Sequence, residues 1–204
     1  MNELDQRFMR LALDLARTAR LAGEVPVGAV VVVDGEPVGQ GHNGSIARTD
    51  PTAHAEILAI RDAAARIGNY RLVGAALYCT VEPCLMCLGA ALHARVGRLV
   101  FGAAETRVGA TTRLDTLRGL GAHINHRFET VGGVLAPEAS ELLRDFFRER
   151  RAELHTAKFR RQTERYRSGH NGGASKALSL REEARGFESH PLRHTGSREQ
   201  RRNG

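Results

Sequence analysis

The spacing of apolar side chains predicts the first elements of this chain. Four apolar residues near the N terminus recur at helical intervals: Leu4, Phe8, Leu11 and Leu15. We therefore expect an amphipathic helix over residues 4–22, ended near Gly23. A β-branched run over 27–33 follows, and the turn Asp34-Gly35-Glu36 joins it to a second extended segment over 37–42. This pattern is typical of a β-hairpin.

Further along, segments with helical and extended patterns alternate. The predicted elements are a helix over 52–67, a strand over 75–81, a helix over 84–94, a strand over 98–102 and a closing helix over 136–154. Strands that alternate with crossover helices imply a largely parallel sheet with helices on both faces. Residues 103–122 show no clean period, and we expect a loop-rich stretch there. The predicted fold class is α/β.

The net charge of +7 is confined to the C-terminal quarter of the chain. Residues 1–154 contain 18 basic and 18 acidic residues, whereas residues 155–204 contain 12 and 5, so 12 − 5 gives the whole excess. The last segment is also poor in apolar residues and cannot bury enough surface to offset its ordering entropy. We predict a domain over 1–154 and a basic tail over 155–204, largely disordered beyond about Arg165. The tail is either simply solvated or a loose phosphate-binding arm.

Nothing in the sequence suggests a membrane or an oxidising compartment. The longest apolar run, Val25 to Val33, has nine residues, far short of the roughly 20 that span a bilayer. The N terminus is mixed in charge and lacks the apolar core of a signal peptide. Two of the three cysteines form a C-x-x-C motif and Cys79 is left over, which argues against a disulfide framework. We expect a cytoplasmic protein.

Two short segments, thirty residues apart, carry the candidate chemistry: His54-Ala55-Glu56 and Pro83-Cys84-Leu85-Met86-Cys87. His54, Cys84 and Cys87 are zinc-ligand types, and three of them leave the fourth tetrahedral position open for water. Glu56 is an acid beside a ligand that does not itself ligate. Zinc-activated water next to such a carboxylate suits hydrolytic attack on an electron-poor carbon. The H-x-E…P-C-x-x-C pattern is typical of zinc nucleobase deaminases.

Both segments fall at predicted helix starts, where peptide dipoles favour thiolates at Cys84 and Cys87. His54 and Glu56 would lie about 200° apart on a regular helix, so they can share a site only in its first turn, which the predicted start at Thr52 permits. We expect Glu56 to move a proton from water to a ring nitrogen and then to departing ammonia. The alternative is a closed structural zinc site with a fourth ligand such as His42 or His93, which would not need Glu56.

Further segments between residues 5 and 153 resemble the bacterial tRNA-specific adenosine deaminases. They include Val25-Pro26-Val27-Gly28-Ala29-Val30, Asn69-Tyr70-Arg71-Leu72, His93-Ala94-Arg95, Asn125-His126-Arg127 and Asp145-Phe146-Phe147-Arg148. The zinc segments are shared with guanine, cytidine and deoxycytidylate deaminases. The last three segments favour the tRNA family within that superfamily.

The resemblance implies a cytidine-deaminase-like three-layer α/β/α fold with a mixed five-stranded sheet, a homodimer and one zinc ion per subunit. It also implies that Asn43 and the backbone of Ala55 contact a flipped nucleotide. That nucleotide would be the wobble adenosine of a tRNA anticodon stem-loop, with arginine tRNA as the expected substrate, because base chemistry needs an unstacked base. An ordinary turn residue is the alternative for Asn43.

Two other functions remain open: a deaminase of free bases such as guanine, and a non-catalytic RNA-binding subunit, which the presence of Glu56 disfavours. The stretch Gly109-Ala110-Thr111-Thr112-Arg113-Leu114 departs from the family pattern. It lies within 104–122, where related enzymes differ in substrate contact. Because the predicted domain is neutral, RNA affinity would depend on local patches, for which Arg148, Arg150 and Arg151 are candidates, or on the basic tail.

Overall fold

The computed structural model describes residues 2–105, 107, 109–111, 116 and 124–167. By its contacts the chain falls into two units, Met1–Glu153 and Leu154–Gly204. The helices and strands, in chain order, are α1 (Glu3–Leu21), β1 (Gly28–Val33), β2 (Glu36–His42), α2 (Ala55–Ile67), β3 (Ala76–Val81), α3 (Leu85–His93), β4 (Arg98–Ala103), β5 (Glu129–Val131) and α4 (Ala136–Arg167). Among the described residues, no helix is long and apolar enough to cross a membrane.

The five strands form one mixed sheet in the order β2-β1-β3-β4-β5. Strand β1 is antiparallel to both β2 and β3, whereas β3, β4 and β5 are parallel to one another. The expected mixed five-stranded sheet is confirmed. The inference of a largely parallel sheet was wrong for the β1–β3 pair, which is antiparallel. The reason is that β3 pairs with β1 rather than with β2. Strand β3 runs parallel to β2, and β1, as the hairpin partner of β2, is therefore antiparallel to both.

Alternate residues of the sheet face two separate apolar clusters. Ala29 and Val31 pack with α2 and α3, whereas Val30 and Val32 pack with α1 and the start of α4. This is the side-chain alternation of a strand that is buried on both faces. The expected three-layer α/β/α architecture is confirmed.

Two glycines of the edge strand β2 bring α2 unusually close to the sheet. A Cβ atom at Gly39 would overlap the carbonyl oxygen of Ala59, and one at Gly41 would overlap that of Ala55. Only glycine permits this approach of helix backbone to strand backbone. The first turn of α2 therefore lies directly against the end of β2.

A buried ion pair ties α1 to the middle of the sheet. Two guanidinium nitrogens of Arg98 donate to the carboxylate of Asp5 at 2.6 and 3.0 Å, and the Tyr78 hydroxyl donates to it at 3.0 Å. Asp5 is only 3% exposed. The hydrogen bonds from Arg98 are the main cause that lowers the pKa of Asp5. This network carries no local sequence signal and was not predicted.

Helix α4 differs from its prediction at the C-terminal end. It continues to Arg167, whereas the apolar pattern placed its end at Leu154. The described side chains beyond Leu154 are exposed, so apolar periodicity reports only the part of the helix that packs. The disorder predicted beyond about Arg165 falls largely on 168–204, outside the described residues. The proposed division at 154/155 remains a prediction.

Candidate metal and catalytic site

Each of the two metal-ligand segments lies at the N terminus of a helix. His54 is the N-cap of α2 and Cys84 is the N-cap of α3, and both have extended backbone conformations. Helix α2 therefore begins at Ala55, three residues after the predicted start at Thr52. On a regular helix His54 and Glu56 would lie about 200° apart, and from the sequence we expect them to share a site only in the first turn. His54 precedes the helix, so its direction is not set by helical geometry.

His54, Cys84 and Cys87, the zinc-ligand cluster, converge on one point. The Nδ1 atom of His54 lies 3.7 Å from Cys84 Sγ and 3.5 Å from Cys87 Sγ, and the two sulfur atoms are 3.6 Å apart. A tetrahedral zinc ion with ordinary bond lengths separates its ligands by about 3.6 Å for nitrogen to sulfur and about 3.8 Å for sulfur to sulfur. The three ligand atoms thus form one face of a tetrahedron of the size that zinc requires.

The described part of the chain offers no fourth protein ligand at this point. The zinc-ligand cluster contains three residues, and neither His42 nor His93 belongs to it. A closed structural site therefore gains no support among the described residues. Three protein ligands with one position left over are typical of catalytic zinc.

The two cysteines of the cluster are chemically unlike. Hydrogen bonds with Cys87 and His54 lower the pKa of the Cys84 thiol to about 3. The hydrogen bond with Cys84 and burial raise the pKa of Cys87. To hold a divalent metal, Cys87 would have to lose its proton, because the thiolate is the form that binds metal.

Glu56 lies in the first turn of α2 and is almost completely buried, with 4% of its surface exposed. Burial is the largest cause that raises the pKa of its carboxyl group. A carboxyl whose pKa is shifted toward neutrality can both accept and return a proton. The structure thus places beside His54 a carboxyl group suited to proton transfer.

Asn43 and Ala55, the two predicted nucleotide contacts, meet each other. The side-chain oxygen of Asn43 accepts a hydrogen bond from the backbone N–H of Ala55 at 3.0 Å. Ala55 is the first residue of α2, so this bond satisfies one of the free N–H groups at that helix end. This bond leaves the amide nitrogen of Asn43 as a donor for a ligand.

Sequence reasoning missed Glu24, which anchors the loop over residues 43–51. One carboxylate oxygen of Glu24 accepts hydrogen bonds from the backbone N–H groups of Ile46 and Ala47, both at 2.8 Å. Glu24 is 2% exposed. Its only sequence signal is an acid directly before the apolar run that begins at Val25. The partner residues lie more than 20 positions away and cannot be inferred from local pattern.

Glu82, which sequence reasoning also missed, anchors the loop beside α3 in the same way. Its carboxylate accepts hydrogen bonds from the backbone of Glu105 and Thr111, each at 3.1 Å, and a further bond from the Thr111 hydroxyl. Ala110 N–H donates to the Pro83 carbonyl at 3.0 Å. Glu82 therefore holds the described part of the divergent stretch against the segment that carries Cys84. The rest of 104–122 lies outside the described residues.

The predicted RNA contacts Arg148, Arg150 and Arg151 are exposed on α4. Arg148 pairs with Asp145 at 2.9 Å, and Arg150 pairs with Glu153 at 3.4 Å. These acidic neighbours reduce the local positive charge. The structure does not test the assignment, which remains a prediction.

With this geometry established, comparison with known proteins defines the class. A family model of the cytidine and deoxycytidylate deaminase zinc-binding region matches residues 2–103, which include the zinc-ligand cluster and Glu56. The chain belongs to this family of zinc-binding deaminases.

Similarity to individual proteins is more specific. The chain is 49% identical to the tRNA-specific adenosine deaminase of Haemophilus influenzae over 154 residues, which cover 74% of this chain and 88% of that protein. A solved structure from work on A-to-I editing by tRNA:A34 deaminases at the wobble position is 40% identical, covers 67% of this chain and 99% of its own, and has a TM-score of 0.63. The guanine deaminase of Nitrosomonas europaea is 26% identical, covers 69% and 83%, and has a TM-score of 0.57. The predicted resemblance to tRNA-specific adenosine deaminases is confirmed.

Proposed function

We propose that this protein hydrolytically deaminates adenosine to inosine at the wobble position of a tRNA anticodon. The observation that carries the proposal is the zinc-ligand cluster with buried Glu56 beside it, on a chain 49% identical to a tRNA-specific adenosine deaminase. Greater identity to the tRNA:A34 deaminase than to the guanine deaminase, 40% against 26%, supports tRNA over a free base.

His54, Cys84 and Cys87 would hold one zinc ion per subunit. When bound, zinc supplies Lewis-acid chemistry that makes water a nucleophile near neutral pH. Glu56 accepts a proton from the attacking water and delivers it to the ring nitrogen next to the amino-bearing carbon. As the carbon–nitrogen bond breaks, Glu56 takes the second proton from the new hydroxyl group on that carbon, which becomes the carbonyl, and passes it to the departing amino group, which leaves as ammonia. A carboxyl group with a raised pKa can serve in both directions.

Asn43 would orient the base. Its side-chain oxygen is fixed by Ala55 N–H, so its amide nitrogen is presented as a donor toward a ring or sugar acceptor. The base must leave the stack to reach a buried carboxyl group, and anticodon loop nucleotides do so at low cost. An arginine tRNA anticodon stem-loop is the substrate we expect.

We also propose a homodimer in the cytoplasm. Leu85 and Met86 in the first turn of α3 are 58% and 38% exposed, directly after Cys84. Exposed apolar side chains beside a functional segment favour a protein interface. The three cysteines are free thiols, as expected in a reducing compartment. Light scattering of wild type and L85E protein tests the dimer, which the added charge should dissociate.

Inosine formation on an adenosine-34 arginine stem-loop tests the function. Wild-type protein should produce inosine and ammonia, and Glu56→Ala protein with the same zinc content should produce neither. A parallel reaction contains free guanine. Xanthine from guanine without inosine from the stem-loop would replace tRNA editing with guanine deamination. Zinc binding with no product from either substrate would favour the non-catalytic alternative.

A further inference from the structure

An open cleft lies along the exposed edge of the sheet, beside β2. It has a volume of about 520 Å³ and lies between the edge strand, helix α2 and Leu15 of α1. Its polar lining comes mainly from Gln40, His42, Arg48, Arg61, Asp62 and Arg66. We call it the edge cleft. No step of the proposed chemistry uses it.

The edge cleft is positively charged, with three arginines against one aspartate in its lining. Arg66 pairs with Asp62 at 3.0 Å. Among the described residues, no carboxylate lies within ion-pairing distance of Arg48 or Arg61. Nearby Asp50 has its pKa lowered chiefly by hydrogen bonds from Thr52 and further by the two arginines. Two guanidinium groups thus remain for an anionic ligand.

The cleft is not built to receive another β-strand. The outward-facing N–H of Gln40 donates to the carboxylate of Asp62 at 2.9 Å. That bond closes the edge of β2 at the point where an added strand would pair, a common protection of sheet edges. Planar arginine side chains instead match phosphate oxygens, to which they donate paired hydrogen bonds.

The edge cleft also adjoins the residue proposed to orient the base. Arg48 N–H donates to the carbonyl of Gly44 at 2.9 Å, and the Arg48 side chain lies against Gly44, the residue after Asn43. His42, in the cleft lining, contacts the Asn43 carbonyl oxygen through Nδ1 at 2.9 Å. Glu24 fixes the loop between Asn43 and Arg48 through Ile46 and Ala47. A strand with one base held at Asn43 would therefore have its neighbouring phosphates near the cleft.

We propose that the edge cleft binds the phosphodiester backbone of the RNA strand whose base enters the metal site, and that Arg48 and Arg61 are the phosphate contacts. This inference rests on the proposed function. It gives the neutral catalytic unit, with 18 basic and 18 acidic residues over 1–154, a local source of affinity for a polyanion. Phosphate contacts position an RNA strand without reading its sequence.

The test compares Arg48→Gln and Arg61→Gln with Arg17→Gln. Arg17 is exposed on α1 and pairs with Asp14 at 2.6 Å, so the control removes the same charge outside the cleft. Each cleft variant should raise KM and Kd for the stem-loop about 3- to 10-fold, leave kcat within about twofold, and reduce the slope of log Kd against log salt by about one. Arg61→Lys should recover part of the affinity.

The proposal is overturned if the cleft variants match Arg17→Gln in Kd and salt slope while zinc content and Tm stay at wild-type values. Arg61 is exposed on a helix, so its variant keeps the test valid even if Arg48→Gln disturbs the loop. If the proposed function itself were wrong, the wild-type results would differ. Wild-type protein would then form no inosine, and it would not bind the stem-loop in preference to an acidic peptide of equal charge.

Discussion

Asn43 accepts a hydrogen bond from the backbone N–H of Ala55 at 3.0 Å. One side chain thereby serves two elements, because Asn43 follows β2 and Ala55 begins α2. The bond holds the start of α2 against the loop that follows the edge strand. It also leaves the amide nitrogen of Asn43 as a donor for the proposed substrate.

Substitutions at Asn43 should separate these two roles. Asn43→Ala removes the acceptor at the helix end and should lower the free energy of unfolding by about 1 kcal/mol. Asn43→Asp keeps an acceptor and adds a favourable charge at a helix N terminus, so its stability should stay near wild type. Both variants lose the amide donor and should lose most inosine formation. Urea unfolding and stem-loop assays measure the two effects, and full activity of Asn43→Asp would contradict the donor role.

Removal of the Glu56 carboxylate should stop turnover without loss of metal. We expect kcat to fall by about 10²- to 10⁴-fold in Glu56→Ala and in the closer isostere Glu56→Gln. The reason is that the proposed mechanism assigns both proton transfers to Glu56. Zinc content should remain at the wild-type level, since the three ligands are untouched. Inosine assays and metal analysis on the same preparation provide the measurement. Retention of substantial turnover would remove Glu56 from the mechanism.

Chelation of the metal should expose one unusually reactive thiol. The pKa of Cys84 is lowered to about 3, so metal-free protein should carry the thiolate throughout ordinary working pH. Its alkylation rate should therefore be nearly flat from about pH 5 to 8, where an ordinary thiol gains about tenfold per pH unit. Cys79 is fully buried with a raised pKa and is the internal control. Mass spectrometry after iodoacetamide treatment should find Cys84 labelled and Cys79 unlabelled; equal labelling would refute the assignment.

Glu24 should matter for substrate binding as well as stability. Glu24→Ala leaves the N–H groups of Ile46 and Ala47 without their acceptor, at a cost of about 1–3 kcal/mol in the free energy of unfolding. The freed loop should also raise KM for the stem-loop. Glu24→Gln keeps a side-chain oxygen that can accept both bonds, so it should recover most of the stability and the KM. If Glu24→Ala lowers Tm but leaves KM unchanged, Glu24 is structural only.

The Asp5–Arg98 pair predicts how stability depends on pH. Hydrogen bonds from Arg98 lower the pKa of Asp5 in the folded state, so the pair contributes fully above the unfolded value of about 3.9. Its contribution is lost as pH falls below about 4, through the folded value. Asp5→Asn should cost about 2–3 kcal/mol at pH 7 and less at pH 3. Asp14→Asn, which breaks an exposed pair with Arg17, should cost less than about 1 kcal/mol at both. Urea unfolding at the two pH values compares them.

The zinc-ligand cluster could be predicted from the sequence because its three residues lie in two short motifs. His54 and Glu56 are two residues apart and Cys84 and Cys87 are three apart. Each pair is held by one helix start, so local spacing nearly determines local geometry. The exact helix start was less predictable. The predicted start at Thr52 put His54 inside the first turn of α2, whereas the structure places it at the N-cap.

The supporting residues were not predictable, because their partners are distant in sequence. Glu24 and Glu82 look like ordinary acids until the fold brings loop N–H groups to them. The position of β3 beside β1 likewise depends on how α2 crosses the sheet. Such features are decided by packing over the whole domain, and no window of local pattern reports them.

Because α2 packs so closely on Gly39 and Gly41, the edge strand β2 determines where Glu56 lies. The absence of two methyl groups sets how far α2, and with it Glu56, stands from the sheet. An alanine at Gly41 would push against the carbonyl of Ala55, the residue directly before Glu56. A shift of about 1 Å in a reacting group can cost about 10²-fold in rate. Attempts to re-engineer this enzyme should therefore leave these two positions alone, although neither glycine is assigned a role in metal binding or proton transfer.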